Sequence, residues 1–153
     1  MQIVSFNSAD KQLTLKNKTH LRGFIANIFD KENKPLKKLD YVFCSDDYLL
    51  QINKDFLQHD YYTDIITFPL SDKHQPIVGE VYISLDRVRD NAKLHGDSIL
   101  NETLRVLFHG ALHLCGFSDK SPKEIKAMRN KENFYISLFH VEQEIGRASA
   151  GFS

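Results

Sequence analysis

Two histidines four residues apart, His109 and His113, stand in the otherwise apolar run Val106-Leu107-Phe108-His109-Gly110-Ala111-Leu112-His113-Leu114-Cys115. Gly116 ends the run, and Asp119 follows three residues later. On an α-helix, residues i and i+4 share a face, about 6 Å apart along the axis, so both imidazoles can point at one ion. A turn at Gly116 lets Asp119 supply a third ligand. Three protein ligands with an open coordination position are what a metal hydrolase needs. The competing reading is a pair of core histidines. A helix that is apolar all round is buried, and two imidazoles buried without partners would cost free energy twice. A shared metal removes that cost. In zinc peptidases of the His-Glu-x-x-His type, the residue after the first His is a Glu that acts as general base. That position is Gly110 here, which disfavours a peptidase.

The elements that must carry these residues follow from periodicity. The stretch from Gln2 to Phe6 alternates like a strand, and Leu21, Phe24, Ile25, Ile28 and Phe29 mark an amphipathic helix over 17–32. Lys38 to Ser45 reads as a strand, and Asp46 or Asp47 can cap a short helix through Phe56. Asp64-Ile65-Ile66-Thr67-Phe68 is a β-branched strand stopped by Pro69, and Ile77 to Ser84 is another. A helix from Ser84 or Asp86 ends at Gly96, and Asp97 or Ser98 caps the helix with the His pair, which ends at Gly116. Gly116 is expected at positive φ. Ser121, Pro122 and Glu124 form a capping box with proline at the first helical position. That helix is expected to reach about Glu144, with a frayed tail over 146–153. The order β-α-β-α-β-β-α-α-α predicts an α+β fold: a small mixed sheet of about four strands, helices packed on it, and the His helix central. One hydrolase-like domain over 1–145 is expected.

The 153 residues include 20 basic and 20 acidic ones, for zero formal net charge. That argues against avid nonspecific nucleic-acid binding, which relies on phosphate neutralisation, though not against a local basic cleft. The start lacks a signal-like n-region and h-region, no run of 18 apolar residues occurs, and a cytoplasmic protein with no membrane partner is expected. Cys44 and Cys115 read as small buried hydrophobes.

The run His109-Gly110-x-Leu112-His113-Leu114-x-Gly116-Phe117 resembles the signature of the YbeY family of bacterial endoribonucleases. Two further blocks resemble that family: Thr63-Asp64-Ile65-Ile66-Thr67-Phe68-Pro69 and Gly79-Glu80-Val81-Tyr82-Ile83-Ser84. The three blocks occur in the family's order and span about residues 50–120. The resemblance implies a zinc-dependent, single-strand-specific endoribonuclease acting in rRNA processing, at the 3′ end of 16S rRNA, and in ribosome quality control. It implies one Zn²⁺ per chain, other divalent ions being possible, held by His109, His113 and Asp119, with both histidines catalytic. Its partners would be single-stranded rRNA and the small ribosomal subunit; the oligomeric state is open. Two positions depart from the family pattern: its third His is Asp119 here, and an Arg that contacts substrate is Leu57. A carboxylate is a legitimate zinc ligand. Lys54 and His59 are candidates to replace the missing charge, and Lys120 and Thr63 are expected to contact RNA. The alternatives are a ribosome-associated RNA-binding assembly factor with a structural metal, and another metal hydrolase.

Overall fold

Four strands and five helices follow one another in the expected order. The computed structural model describes the backbone of residues 3–151 and the side chains of residues 3–146. The elements are β1 (Val4–Ser8), α1 (Lys18–Lys31), β2 (Leu36–Cys44), α2 (Asp46–Leu57), β3 (Ile65–Pro69), β4 (Ile77–Ser84), α3 (Leu85–His95), α4 (Ile99–Leu114) and α5 (Pro122–Gly151). The sheet order is β1-β2-β4-β3. The first three of these strands are parallel, and β3 runs antiparallel to β4 along one edge. This is the expected α+β fold with a mixed sheet. No helix among the described residues is long and apolar enough to cross a membrane.

Strand alternation divides the sheet into two faces. Tyr41 pairs with Val81 and Phe43 with Ile83. These side chains join one large core with Phe24, Ile28, Leu104, Phe108 and Tyr135 from the helices. On the opposite face Cys44, Leu49 and Ile66 pack with Ile52, Phe68 and Tyr82, so α2 covers that side. The buried Tyr41 hydroxyl donates to the Leu107 carbonyl at 2.7 Å and ties the sheet to α4.

Local signals set most boundaries. Ser84, Ser98 and Ser121 each accept a backbone N–H at a helix start, and Glu124 accepts the Ser121 N–H in return at 3.0 Å. Gly96 closes α3 at φ 63°. Four expectations shift. β3 takes in Pro69, the residue expected to stop it, because Pro69 still pairs with Gly79 of β4. β1 lies two residues later than its alternation suggests, because its pairing with β2 runs from Val4↔Leu39 to Ser8↔Phe43; Met1 and Gln2 lie outside the described residues. The cap of α2 is Ser45, whose hydroxyl accepts the Tyr48 N–H at 3.1 Å. Neither Asp46 nor Asp47 takes that role; Asp46 instead pairs with Arg87 at 3.1 Å. Finally, α5 continues to Gly151, beyond the expected end near Glu144 and through most of the expected frayed tail. The last two positions, Phe152 and Ser153, lie outside the described residues.

Candidate active site

Helix α4 reaches the sheet because Gly110 has no side chain. A Cβ there would stand 2.9 Å from Val81 Cγ1 and 3.3 Å from Ile65 Cδ1, too close for Val81, a fully buried, stiff β-branched residue. The helix ends in a Schellman turn: the Phe117 N–H donates to Leu112 O and the Gly116 N–H to His113 O, with Gly116 at φ 109°. That turn brings Asp119 back beside the helix. His109 Nε2 and Asp119 Oδ2 are 3.4 Å apart.

The other ring nitrogen of His109 is held. Nδ1 donates to Glu132 Oε2 of α5 at 2.8 Å, and Glu132 Oε1 accepts from Arg105 Nη1 at 3.1 Å. Glu132 is buried, so the two bonds offset the cost of its charge. Burial on its own would lower the His109 pKa. The Glu132 hydrogen bond and charge, with Asp119 and Asp64, outweigh it and raise the pKa above the ordinary 6.5. Burial raises the pKa of Asp64; the His109 charge works against this, and Glu102 and Glu132 add to it.

These groups face a cleft of about 830 Å³ between the β3 edge, the loop before it, α4 and the start of α5. His109, His113, Asp119, Lys120, Thr63 and His59 all line it. The structure places His109 part-buried and His113 exposed, so neither is a core histidine. Lys54 is not in the lining and pairs with Asp60 at 3.4 Å. Leu57 is part of the cleft wall. Cys115 is buried, with its thiol pushed up to about 12 by burial, and Cys44 likewise.

One pair of the predicted donors, His109 and Asp119, has a spacing that suits a zinc ion. Two ligands about 2.0–2.1 Å from one tetrahedral ion lie about 3.3 Å apart, close to the His109–Asp119 spacing. A metal-binding histidine donates its second N–H to a carboxylate, as His109 does to Glu132. The three predicted ligands are not gathered into one cluster: among the described residues no group of three such side chains stands in metal-holding geometry. His113 shares the cleft but carries no side-chain hydrogen bond or ion pair among the described residues.

Glu132, Arg105, Glu102 and Asp64 join the site although nothing local in the chain singles them out. Two signals, each spread along a helix, point to the first two. Arg105, His109 and His113 recur every four residues on α4. Glu132 falls within the apolar stripe of α5, between Met128 and Tyr135, Ile136 and Phe139, where an unpaired charge would be costly.

Comparisons with known proteins cover nearly the whole chain. The family model described as Endoribonuclease YbeY matches residues 4–140. A protein named Endoribonuclease YbeY from Cytophaga hutchinsonii is 47% identical over 137 residues, covering 90% of this chain and 96% of its own length. One of the same name from Christiangramia forsetii is 41% identical over 135 residues, covering 88% and 94%. A solution structure of a Thermotoga maritima protein superposes with a TM-score of 0.64 at 27% identity, covering 94% of this chain and 93% of that one. With nearly the whole chain matched, and the blocks around His109, Thr63 and Gly79 falling inside the match, this protein belongs to the YbeY endoribonuclease family.

Proposed function

We propose that the protein is a metal-dependent, single-strand-specific endoribonuclease that acts in rRNA processing, at the 3′ end of 16S rRNA, and in ribosome quality control. The observation that carries the reading is His109: its Nδ1 is anchored on buried Glu132 and its Nε2 faces Asp119 across 3.4 Å in an open cleft. His109, His113 and Asp119 would hold one Zn²⁺. When bound, such an ion supplies Lewis-acid chemistry, acidifying a water or polarising a phosphoryl oxygen.

The chain's own residues do the rest. Glu132 fixes the ring plane and tautomer of His109, and Arg105 holds Glu132 in turn. Lys120 and Arg129 line the cleft and are the cations available to phosphate oxygens. The narrow supply of such cations suits one strand held at a few phosphates, with a shallow salt dependence. Asp64, part of the same wall with its pKa raised by burial, is a carboxyl able to carry a proton near the reacting phosphate. The partners in this reading are single-stranded rRNA and the small ribosomal subunit, and its compartment is the cytoplasm.

Zinc-loaded protein incubated with single-stranded RNA, duplex RNA and casein tests the reading. Cleavage of the single strand alone, abolished by chelator, is expected. Binding without cleavage would replace it with an assembly factor whose metal is structural, and casein cleavage would replace it with a peptidase.

A further inference from the structure

The loop between α2 and β3 presents two stacked rings that neither core cluster uses. His59 and Tyr61 have centroids 5.1 Å apart and planes inclined by 20°, and the Tyr61 hydroxyl lies 2.9 Å from His59 Nδ1. Both rings line the cleft, and 56% of the Tyr61 surface is open. The loop that carries them is held from beneath. Gln58 turns the chain at φ 56°. Buried Asn53 then accepts the His59 N–H on its backbone carbonyl at 3.0 Å, and its side-chain amide donates to the Tyr61 carbonyl at 2.9 Å. One buried residue thus fixes the backbone of both ring-bearing residues, while the rings themselves are left to solvent.

Resting on the ribonuclease reading above, we propose that the His59–Tyr61 pair is a stacking platform for an unpaired nucleobase of the RNA strand in the cleft. The charge around it favours a base over a phosphate. Lys54 is engaged by Asp60, and Leu57 at the same rim is apolar. Lys120 and Arg129, by contrast, line the cleft with no ion pair among the described residues. The strand is therefore gripped by phosphate at the α5 end and by a π-face at the β3 end. A base in a duplex has both faces covered by its neighbours, so the platform selects for unpaired RNA. Aromatic stacking is tolerant of base identity, so selectivity for sequence is not expected from it.

The test is a rapid-mixing fluorescence titration of the full, zinc-loaded chain with a short single-stranded RNA carrying one 2-aminopurine, moved along the strand. In a parallel series the base is replaced at each position by an abasic residue. Wild type should quench the fluorophore at one position, and the abasic residue there should weaken binding about tenfold. Tyr61→Ala should lose the quench and about the same factor, with no further loss on the abasic strand. Tyr61→Phe, which keeps the ring but drops the contact of its hydroxyl with His59 Nδ1, should keep the quench that Tyr61→Ala loses. Asn53→Ala, which frees the Tyr61 carbonyl and loosens the loop, should behave like Tyr61→Ala. Tyr61→Ala that binds, quenches and cleaves as wild type does would overturn the platform and leave the ribonuclease reading standing. A wild-type chain that neither binds nor cleaves the strand would overturn both.

Discussion

Neighbouring residues of α5 anchor two carboxylate networks of opposite character. Lys131 reaches Glu32, at the end of α1, at 3.0 Å, and the Tyr135 hydroxyl donates to the same Glu32 oxygen. Glu132, the next residue, holds Arg105 and His109. Both carboxylates are largely buried, with side chains 12% and 5% exposed. The Glu32 network is closed: its bonds join α1 to α5 and none of its members lines the cleft. The Glu132 network ends on a ring whose second nitrogen faces the cleft and Asp119. A satisfied buried charge therefore does not by itself mark a site. One that ends on a cleft-facing ring does, because its last nitrogen is held in place with no hydrogen bond among the described residues, only the exposed Asp119 carboxylate 3.4 Å away.

Removing each carboxylate in turn should separate the two networks most strongly. Glu132→Ala leaves Arg105 and His109 without their anchor and should cost about 3–5 kcal/mol, with metal affinity down roughly 10–100-fold. Glu32→Ala should cost roughly 1–3 kcal/mol and leave metal affinity as in wild type below its melting temperature. Denaturant titration and zinc competition read both. Equal metal loss in the two variants would erase the distinction.

A smaller effect should come from moving α4 relative to the sheet. Gly110→Ala gains helix propensity of about 1 kcal/mol, but the new methyl meets Val81, and overpacking costs about 1–3 kcal/mol. Net destabilisation of about 1 kcal/mol is expected, relieved by a second substitution, Val81→Ala. A Gly110→Ala protein more stable than wild type would show that the sheet does not constrain α4 there.

The smallest and most diagnostic effect is on pH dependence, where the networks should have opposite signs. Burial alone would raise the Glu32 pKa; the Tyr135 and Lys131 bonds and the Lys131 charge overcome it and hold the group below its ordinary 4.5. Its stabilising contribution is present above that value and fades as pH falls through the folded pKa. His109 is held above its ordinary 6.5. In metal-free protein its contribution is full below that value and fades as pH rises through the folded pKa. Stability-versus-pH curves of Glu32→Gln and His109→Ala, each subtracted from wild type, should therefore bend at opposite ends. Two differences that bend the same way would contradict the assignment.

Much of this is legible in the chain. The order of elements follows from periodicity and caps, and the tight spacing of Gly110 against the sheet is signalled by a glycine placed mid-helix at a cost. The His pair and Asp119 are readable because i, i+4 spacing and a glycine turn are local. Glu132 is hidden because its partners lie 23 and 27 residues away, and only the packing of α5 on α4 brings them together. The cap of α2 is ambiguous in sequence because Ser45, Asp46 and Asp47 are all good caps. The choice among them is tertiary, since Arg87 draws Asp46 aside. His59 can be named as a cleft residue, but its stacking on Tyr61 depends on Asn53, whose side chain reads from sequence as an ordinary helix position.

Whether His109, His113 and Asp119 hold one catalytic ion is measured most directly by zinc content per chain together with single-stranded RNA cleavage, on wild type and on the His109→Ala, His113→Ala double variant. One zinc per wild-type chain is expected, with both zinc and cleavage lost in the double variant while its circular dichroism spectrum stays native. Full zinc retention by the double variant, or undiminished cleavage without zinc, would contradict that role.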